Sequence, residues 1–198
     1  MLRRIIITVV GFGLFVAGAI DASAQEYGIK GGVNLTDVKW GVEVDTKLAA
    51  AVVAGAFVRV RPLKPVELQI EALAVQQVID FSEEGFVVKD TVTALQVPVL
   101  ARYSVYSGRT IGVRALGGGA FDLVLIAREK VNDVTEDIKQ TVAPWGAALV
   151  AAAEVGWTDR WAFDVRYVFG LTEIYRAEVA VALPAKQRSV QVTAAYKF

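Results

Sequence analysis

The sequence contains no cysteine and no histidine among its 198 residues. Without cysteine the chain forms no disulfide bond, offers no thiolate to a metal and carries no lipid on an N-terminal cysteine. Without histidine it lacks the commonest metal ligand and the usual general base of nucleophilic catalysis. The composition therefore argues against an enzyme, and we expect no catalytic residue, no cofactor and no bound metal.

The chain has no excess of charge of either sign, with 21 Lys and Arg against 21 Asp and Glu. A nucleic-acid-binding protein needs a basic surface to displace counterions from phosphates, so we expect no nucleic-acid partner. The hydrophobic fraction of 55% is too high for a disordered chain. The length suits a single domain.

Residues 1–24 have the three parts of a secretory signal peptide: two arginines near the start, an apolar run, and the small-residue sequence Ala-Ser-Ala at the end. We expect cleavage before Gln25, which leaves residues 25–198 as the mature domain outside the inner membrane of a bacterium. An uncleaved anchor is the alternative. The apolar run is shorter than the roughly 20 residues that cross a bilayer as a helix, which favours cleavage.

The mature chain alternates between apolar and polar residues, most clearly over 161–170. Successive side chains of a strand point to opposite faces, so such a segment has one apolar face and one polar face. A soluble sheet buries the apolar face, whereas a membrane barrel turns it toward lipid and lines its lumen with the polar face. In this segment the two sets are Trp161, Phe163, Val165, Tyr167 and Phe169 against Ala162, Asp164, Arg166, Val168 and Gly170.

The same alternation defines eight segments, each close to the roughly 9–11 residues with which a tilted strand crosses a bilayer. Their connections are alternately short and long, and the long ones carry many charges. This asymmetry predicts an all-β fold, an eight-stranded antiparallel up-and-down transmembrane β-barrel. The segments are 27–35, 50–61, 66–74, 95–103, 111–123, 145–155, 161–170 and 190–198, and the long loops are 36–48, 78–90, 126–141 and 172–187.

Two segments fit the alternation less well. Residues 142–155 are rich in alanine, and a buried helix is the alternative there. Pro98 lies inside a predicted strand, where it lacks one N–H for the hydrogen-bond ladder. We therefore expect a bulge or a change of register at Pro98.

The predicted inward faces carry a nearly balanced set of charges. An eight-stranded barrel is only wide enough for side chains to fill its interior, so this set predicts a lumen plugged by ion pairs. We expect pairs across the second hairpin, between Arg59 or Arg61 and Glu67 or Glu71; a selective ion or proton path is the alternative. The full set is Lys30, Arg59, Arg61, Arg102, Arg114, Arg166 and Lys197 with Glu67, Glu71, Asp122, Glu154 and Asp164.

Aromatic residues gather near the short turns and the C-terminus. Amphipathic rings favour the headgroup layer of a membrane, so we interpret them as a girdle at the periplasmic interface. Ordinary core aromatics are the alternative. The residues are Tyr103, Tyr106, Trp157, Trp161, Tyr196 and Phe198.

Several segments, in order along the mature chain, resemble the small outer-membrane β-barrel proteins of the porin family. The resemblance implies an eight-stranded barrel like OmpX or the transmembrane domain of OmpA, with no catalytic residue. It also implies that the terminal Phe198 is recognised by the barrel-assembly machinery. The resembling segments are YGIKGGVNL at 27–35, VELQIEAL at 66–73, LQVPVL at 95–100, DVRYVFGL at 164–171 and AYKF at 195–198.

These observations lead to one principal hypothesis and two alternatives. The principal hypothesis is an integral outer-membrane barrel, exported and monomeric, in contact with outer-membrane lipids and lipopolysaccharide, with a structural or surface-interaction role. The first alternative is a narrow channel for ions or small solutes. The second is a soluble periplasmic barrel that binds an apolar ligand with its aromatic faces turned inward.

Overall fold

The computed structural model describes residues 26–40, 46–47, 49–63, 65–83, 86–131, 134–175 and 185–198. The predicted signal peptide lies outside the described residues, and its cleavage stays a prediction. Among the described residues, no helix is long and apolar enough to cross a membrane.

The described residues form eight long strands and two short ones. The long strands are β1 (Glu26–Trp40), β3 (Ala49–Leu63), β4 (Val66–Glu83), β5 (Phe86–Ser107), β6 (Gly112–Val131), β8 (Trp145–Gly156), β9 (Trp161–Glu173) and β10 (Ala185–Lys197), and the short ones are β2 (Thr46–Lys47) and β7 (Val134–Asp137).

The eight long strands close into a barrel. Each pairs antiparallel with the strands before and after it, and β1 pairs with β10 from Gly28 opposite Lys197 to Trp40 opposite Ala185. The short strands β2 and β7 pair with β4 and β6 respectively. A closed barrel has no edge, so its wall satisfies its own backbone polar groups. This confirms the predicted all-β, eight-stranded antiparallel up-and-down barrel.

Side chains alternate between the outside and the inside of this barrel, as β9 shows. Val165 is 53% exposed on the outer surface, whereas its neighbours Asp164 and Arg166 are only 2% and 1% exposed. Phe163 and Tyr167 share the outer surface with Val165. The alternative of a barrel with its aromatic faces turned inward is therefore wrong.

The alanine-rich segment is a strand, and the helix alternative is wrong. Strand β8 pairs with β6 on one side and β9 on the other, so both sets of backbone groups find partners in neighbouring strands. Its Leu149 and Val155 are exposed outside, whereas Ala148 and Val150 are buried inside. Alanine is small enough to follow this alternation on either face.

The expected change of register at Pro98 is also wrong. Pairing of β5 with β4 has the same register on both sides of Pro98, with Ile70 opposite Val99 and Leu73 opposite Gln96. The missing N–H interrupts this ladder without shifting it. The nearest register shift between β5 and β6 lies at Thr93/Ala94, nearer the loops.

Two of the predicted long loops consist largely of strand. Within the predicted loop 78–90, β4 continues to Glu83 and β5 starts at Phe86, and within 126–141 β6 continues to Val131. The strands can continue beyond the predicted ends because an antiparallel ribbon satisfies its own backbone hydrogen bonds in water as well as in lipid. These segments also contain several β-branched residues, which favour strands. We call the end that carries these extensions the loop end, and the end that carries the short turns and the C-terminus the turn end.

Apolar side chains also point inward in several clusters among the described residues, two of which matter below. One cluster lies on the wall formed by β5, β6, β8 and β9 and consists of Leu100, Leu116, Ala120, Ala148, Val150 and Val168. The second lies at the loop end, and we call it the apolar cap; it consists of Val92, Ala127 and Val142, packed with Val124, Ile138, Ile174 and Tyr175.

Candidate functional site

Four charged side chains meet inside the barrel to form what we call the central charge cluster: Lys30, Glu71, Asp164 and Arg166. The Lys30 Nζ lies 2.9 Å from Glu71 Oε1 and 2.6 Å from Asp164 Oδ2. The four side chains are at most 1% exposed. Two positive and two negative groups thus neutralise each other away from solvent.

Arg166 holds both acids of this cluster through its planar guanidinium. Its Nη1 and Nη2 donate to the two oxygens of Glu71 at 2.7 and 3.0 Å, and its Nε donates to Asp164 Oδ1 at 2.9 Å. Bidentate pairs of this kind are strong and fix geometry. Because β9 and β4 are not neighbours in the sheet, the Arg166–Glu71 pair joins opposite walls of the barrel.

Uncharged side chains complete the central charge cluster, and the sequence interpretation did not include them. Thr193 Oγ1 donates to Asp164 Oδ2 at 2.8 Å, and the amide of Gln69 donates to Glu71 Oε1. Both occupy inward positions of their strands. The period-two pattern therefore contained the signal, but a search restricted to charges overlooks it.

A second group surrounds Glu154 nearer the turn end. Glu154 accepts from Arg59 Nη2 at 2.9 Å and from Arg102 Nη2 at 2.6 Å. Arg114 Nη1 lies 3.3 Å from Glu154 Oε1. We call this group, with the acids and the lysine that pair around it, the turn-end cluster: Glu154, Arg59, Arg102, Arg114, Glu67, Glu26 and Lys197.

The two clusters are joined through one glutamine. Arg59 Nε donates to Gln69 Oε1 at 2.5 Å, and the same Gln69 amide donates to Glu71. A continuous network of hydrogen bonds and ion pairs thus runs from the turn end to the middle of the barrel. In a low-dielectric interior such networks are strong when satisfied and costly when one member is removed.

Among the described residues, the carboxylate partners of Arg59 are Glu154 and Glu26, and Glu71 pairs with Lys30 and Arg166. The reason is geometric, since in a narrow barrel a long side chain reaches the opposite wall as easily as its neighbour. The Arg61 side chain lies outside the described residues. The pairing across the second hairpin therefore stays a prediction for Arg61 and Glu67.

Asp122 belongs to neither cluster. It is buried on β6, closer to the loop end, and among the described residues it takes part in no ion pair. Its neighbours at that level are uncharged, including Gln96 and Gln191, whose amides lie 3.3 Å apart between Nε2 and Oε1. The inside of the barrel is therefore charged toward the turn end and mostly neutral toward the loop end.

A polar cavity of about 230 Å³ lies at the turn end. Glu26, Arg59, Arg102, Arg114 and Glu154 line it from inside the barrel, and residues of the turn before β9 line its mouth. Its size permits several water molecules.

The predicted interface aromatics lie together on the outer surface of the turn end. The rings of Trp161 and Tyr196 are 5.0 Å apart between centroids, and those of Tyr196 and Phe198 are 5.6 Å apart. Tyr103, Tyr106 and Trp157 are also exposed there. The sequence interpretation missed Tyr27, whose ring centroid lies 5.8 Å from that of Phe198. It also missed the stacked rings of Phe121 and Trp145 toward the loop end.

A titratable pair lies in the apolar cap, in the part of β5 that extends past the outer aromatic residues. Tyr175 Oη donates to Asp90 Oδ2 at 3.0 Å. Burial raises the pKa of Asp90 to about 6, and Glu129 adds to this rise, while the Tyr175 hydrogen bond opposes it. Burial, together with Asp90, also raises the pKa of Tyr175.

We expect the apolar cap to be more stable at about pH 5 than at about pH 8. The folded state binds the Asp90 proton more tightly than the unfolded state, so this stability is present at low pH and lost as the pH rises through about 6. Amide exchange in residues 138–142, corrected for its intrinsic pH dependence, should show about tenfold more protection at the lower pH. Asp90→Asn should remove the difference and Asp159→Asn should keep it; equal protection at both pH values in the wild type would contradict this assignment.

Residues 21–176 match the family described as "Outer membrane protein beta-barrel domain". Among solved structures, the chain is similar to Ail, the attachment invasion locus protein of Yersinia pestis, with 14% identity over 88% of this chain and 99% of that chain, at a TM-score of 0.49. It is also similar to Neisserial surface protein A, with 8% identity over 87% and 97% of the two chains, at a TM-score of 0.49. The chain is similar as well to the outer membrane protein OprG from Pseudomonas aeruginosa, with 12% identity over 88% of this chain and 96% of that chain, at a TM-score of 0.48. No curated protein matches the sequence.

Proposed function

Since the chain belongs to the outer membrane protein β-barrel domain family, we propose that it is an integral outer-membrane protein whose lumen is plugged by ion pairs and whose role is structural or surface-interacting. In this proposal the barrel conducts neither ions nor solutes. Its contribution to the cell comes from the wall, which occupies the membrane, and from the loop end, which faces the medium.

The central charge cluster carries the proposal. Its Arg166–Glu71 and Lys30–Asp164 pairs join opposite or separated strands, and their side chains are almost completely shielded from solvent. An ion that passes this level has to separate pairs whose members are then left buried without a partner, at about 3–5 kcal/mol for each broken pair. The narrow interior of an eight-stranded barrel leaves no second route.

The outer surface supports the placement in a membrane. Exposed apolar side chains such as Val52, Leu149 and Val165 cover the wall, and aromatic rings lie toward both ends. We propose that these surfaces contact outer-membrane lipids and lipopolysaccharide, that the protein is a monomer exported through its signal peptide, and that the barrel-assembly machinery recognises Phe198.

Conductance in planar bilayers tests the plug. We expect no current steps from the refolded wild-type protein, because the central charge cluster closes the lumen. The double variant Glu71→Ala/Arg166→Ala removes one acid and one base together, and we expect it to give measurable steps if it folds. Insertion is checked by quenching of tryptophan fluorescence with brominated lipid.

A matched control is Asp137→Ala, which removes an exposed carboxylate at the loop end. It should remain as silent as the wild type. Current steps from the wild type would reject the plug and favour the second candidate function, a narrow channel for ions or small solutes. The polar cavity at the turn end, about 230 Å³ in volume and lined by Arg59, Arg102 and Arg114, is the observation that favours this candidate.

A further inference from the structure

The polar cavity of about 230 Å³ at the turn end, which we call the turn-end cavity, is space that side chains leave unfilled. The interior of an eight-stranded barrel is normally filled by side chains. At this level the inward positions of three neighbouring strands carry small residues, since Gly112 lies opposite Gly156, and Gly156 lies opposite Ala162. The cavity therefore exists because the sequence has glycine and alanine where larger residues would fill the lumen.

The guanidinium of Arg114 lies against the two glycines. A Cβ at Gly156 would lie 2.5 Å from Nη1 of Arg114, and a Cβ at Gly112 would lie 3.3 Å from its Nη2. A larger residue at position 156 would thus displace this guanidinium. The lack of both Cβ atoms gives Arg114 its place on the wall of the cavity.

The arginines of this wall have N–H donors that the protein does not use. Arg102 is 4% exposed and donates to Glu67 and Glu154, but its Nε has no hydrogen-bond partner among the described residues. In the same part of the chain, the one carboxylate oxygen that Arg114 contacts is Glu154 Oε1 at 3.3 Å, and this oxygen already accepts from Arg102 at 2.6 Å. Unused donors in a buried wall indicate an acceptor that occupies the cavity.

The charges around the turn-end cavity favour an anion as that acceptor. Its described lining includes five basic side chains and three acidic ones, and the basic ones still exceed the acids by one when Glu67, the partner of Arg102, is counted as well. Buried charges are normally balanced by a partner of opposite sign. The basic residues are Arg59, Arg102, Arg114, Arg160 and Lys197, and the acidic ones are Glu26, Glu154 and Asp159.

The turn-end cavity is accessible from the turn end. Thr158, Asp159 and Arg160 line its mouth and are exposed, so a solute enters without passing the central charge cluster. One water needs roughly 10–15 Å³ of such space, so the cavity admits an ion of a few heavy atoms together with part of its hydration shell.

We propose that the turn-end cavity binds a small oxyanion of the phosphate or sulfate type, with Arg102 and Arg114 as its donors and with Arg59 and Lys197 adding positive charge. The parallel N–H groups of a guanidinium match the oxygens of such an anion, and a guanidinium gives up its water more readily than an ammonium does. The inference does not depend on whether the lumen conducts, because the cavity opens to solvent on the turn-end side of the central charge cluster.

A titration with inorganic phosphate, followed by nuclear magnetic resonance, tests the site. The refolded full-length barrel is studied in maltoside micelles, which carry no phosphate group, at constant ionic strength. We expect a saturable shift of the Arg102 Nε–H signal, which is assigned from its absence in Arg102→Lys, because this proton gains an acceptor. Sulfate should displace phosphate, and chloride should compete about tenfold more weakly, because a single atom cannot accept from two parallel donors as two oxygens do.

Substitutions of the wall separate a built site from loose attraction of counter-ions. Arg114→Gln should raise the Kd for phosphate about tenfold, because a charge-assisted hydrogen bond is lost. The matched control is Arg109→Gln, which removes an exposed arginine of the turn between β5 and β6, outside the cavity lining, and should leave the Kd unchanged. If Arg114→Gln does not fold, Gly156→Ala, which displaces the same guanidinium without removing a charge, should raise the Kd severalfold.

Three results would each overturn the proposal and leave a cavity that holds only water. The first is the lack of a saturable shift in the wild type. The second is competition by chloride as strong as that by sulfate. The third is an equal Kd for the wild type and for Arg114→Gln, or for the wild type and Gly156→Ala where that variant takes its place.

Discussion

Glu71→Ala is expected to lower the free energy of unfolding by about 3–5 kcal/mol. Glu71 accepts hydrogen bonds from Lys30, Arg166 and Gln69, so its removal leaves two buried cations to share Asp164 alone. Their mutual repulsion then acts in a medium that screens it poorly. Urea unfolding of the refolded barrel in lipid vesicles, followed by tryptophan fluorescence, measures the loss.

The control for this prediction is Asp159→Ala, an exposed acid at the turn end, which should change stability by no more than about 0.5 kcal/mol. A loss for Glu71→Ala that is no larger than for this control would show that the cluster contributes nothing to stability. A quadruple variant, Lys30→Met, Glu71→Leu, Asp164→Leu and Arg166→Met, separates two roles. If the quadruple variant has a free energy of unfolding close to that of the wild type, the four charges specify one packing arrangement and do not add to its stability.

Gly32→Ala is expected to reduce stability by about 3 kcal/mol and to lower the fraction that folds. A Cβ at position 32 would lie 2.0 Å from the carbonyl oxygen of Val192 and 2.7 Å from the Cα of Thr193. Both atoms belong to the backbone of β10, which pairs with β1 to close the barrel. The two strands would have to separate at the seam between the first and last strands of the chain.

The neighbouring glycine provides a matched comparison on the opposite face. A Cβ at Gly31 would have its nearest contact at 3.8 Å, from the carbonyl oxygen of Val53, which is an ordinary van der Waals distance. Gly31→Ala should therefore fold as well as the wild type. The fraction that migrates as the compact form on unheated gels, and urea unfolding, compare the two variants. Equal behaviour of Gly31→Ala and Gly32→Ala would contradict a close approach of β1 and β10.

The two-residue alternation of apolar and polar residues predicted the strands and which of their side chains face outward, because the two faces of a strand lie in different environments. Arg166 and Val165 were assigned to opposite faces from their positions alone, and the structure places them there. The near-balance of charges inside the barrel could also be predicted from the sequence. Whether a residue faces inward depends only on its odd or even position along the strand, so the inward charges can be counted. This is why most of the residues in the two clusters were predicted.

What the sequence did not reveal depends on distances across the barrel. The contact between Arg166 and Glu71 joins residues 95 positions apart on opposite walls, and it follows from strand tilt and stagger, which no local pattern encodes. The role of Gln69 was missed because an amide carries no charge to count. The strands extend further at the loop end than predicted, because charged residues such as Asp90 and Lys130 were interpreted as loop residues. A paired β-ribbon in water accommodates charged side chains as well as a loop does.

Strands β5 and β6 contain 22 and 20 residues, about twice the number needed to cross a bilayer. At roughly 3.3 Å per residue, the residues beyond this length form a β-ribbon at the loop end that is about 30 Å long along its own axis. The backbone of this ribbon is already ordered, because β5 pairs with β4 and β6 along its whole extension. Under the proposed surface-interaction role, binding to an already ordered ribbon carries little ordering penalty, so substitutions on it should change affinity while the barrel below stays folded.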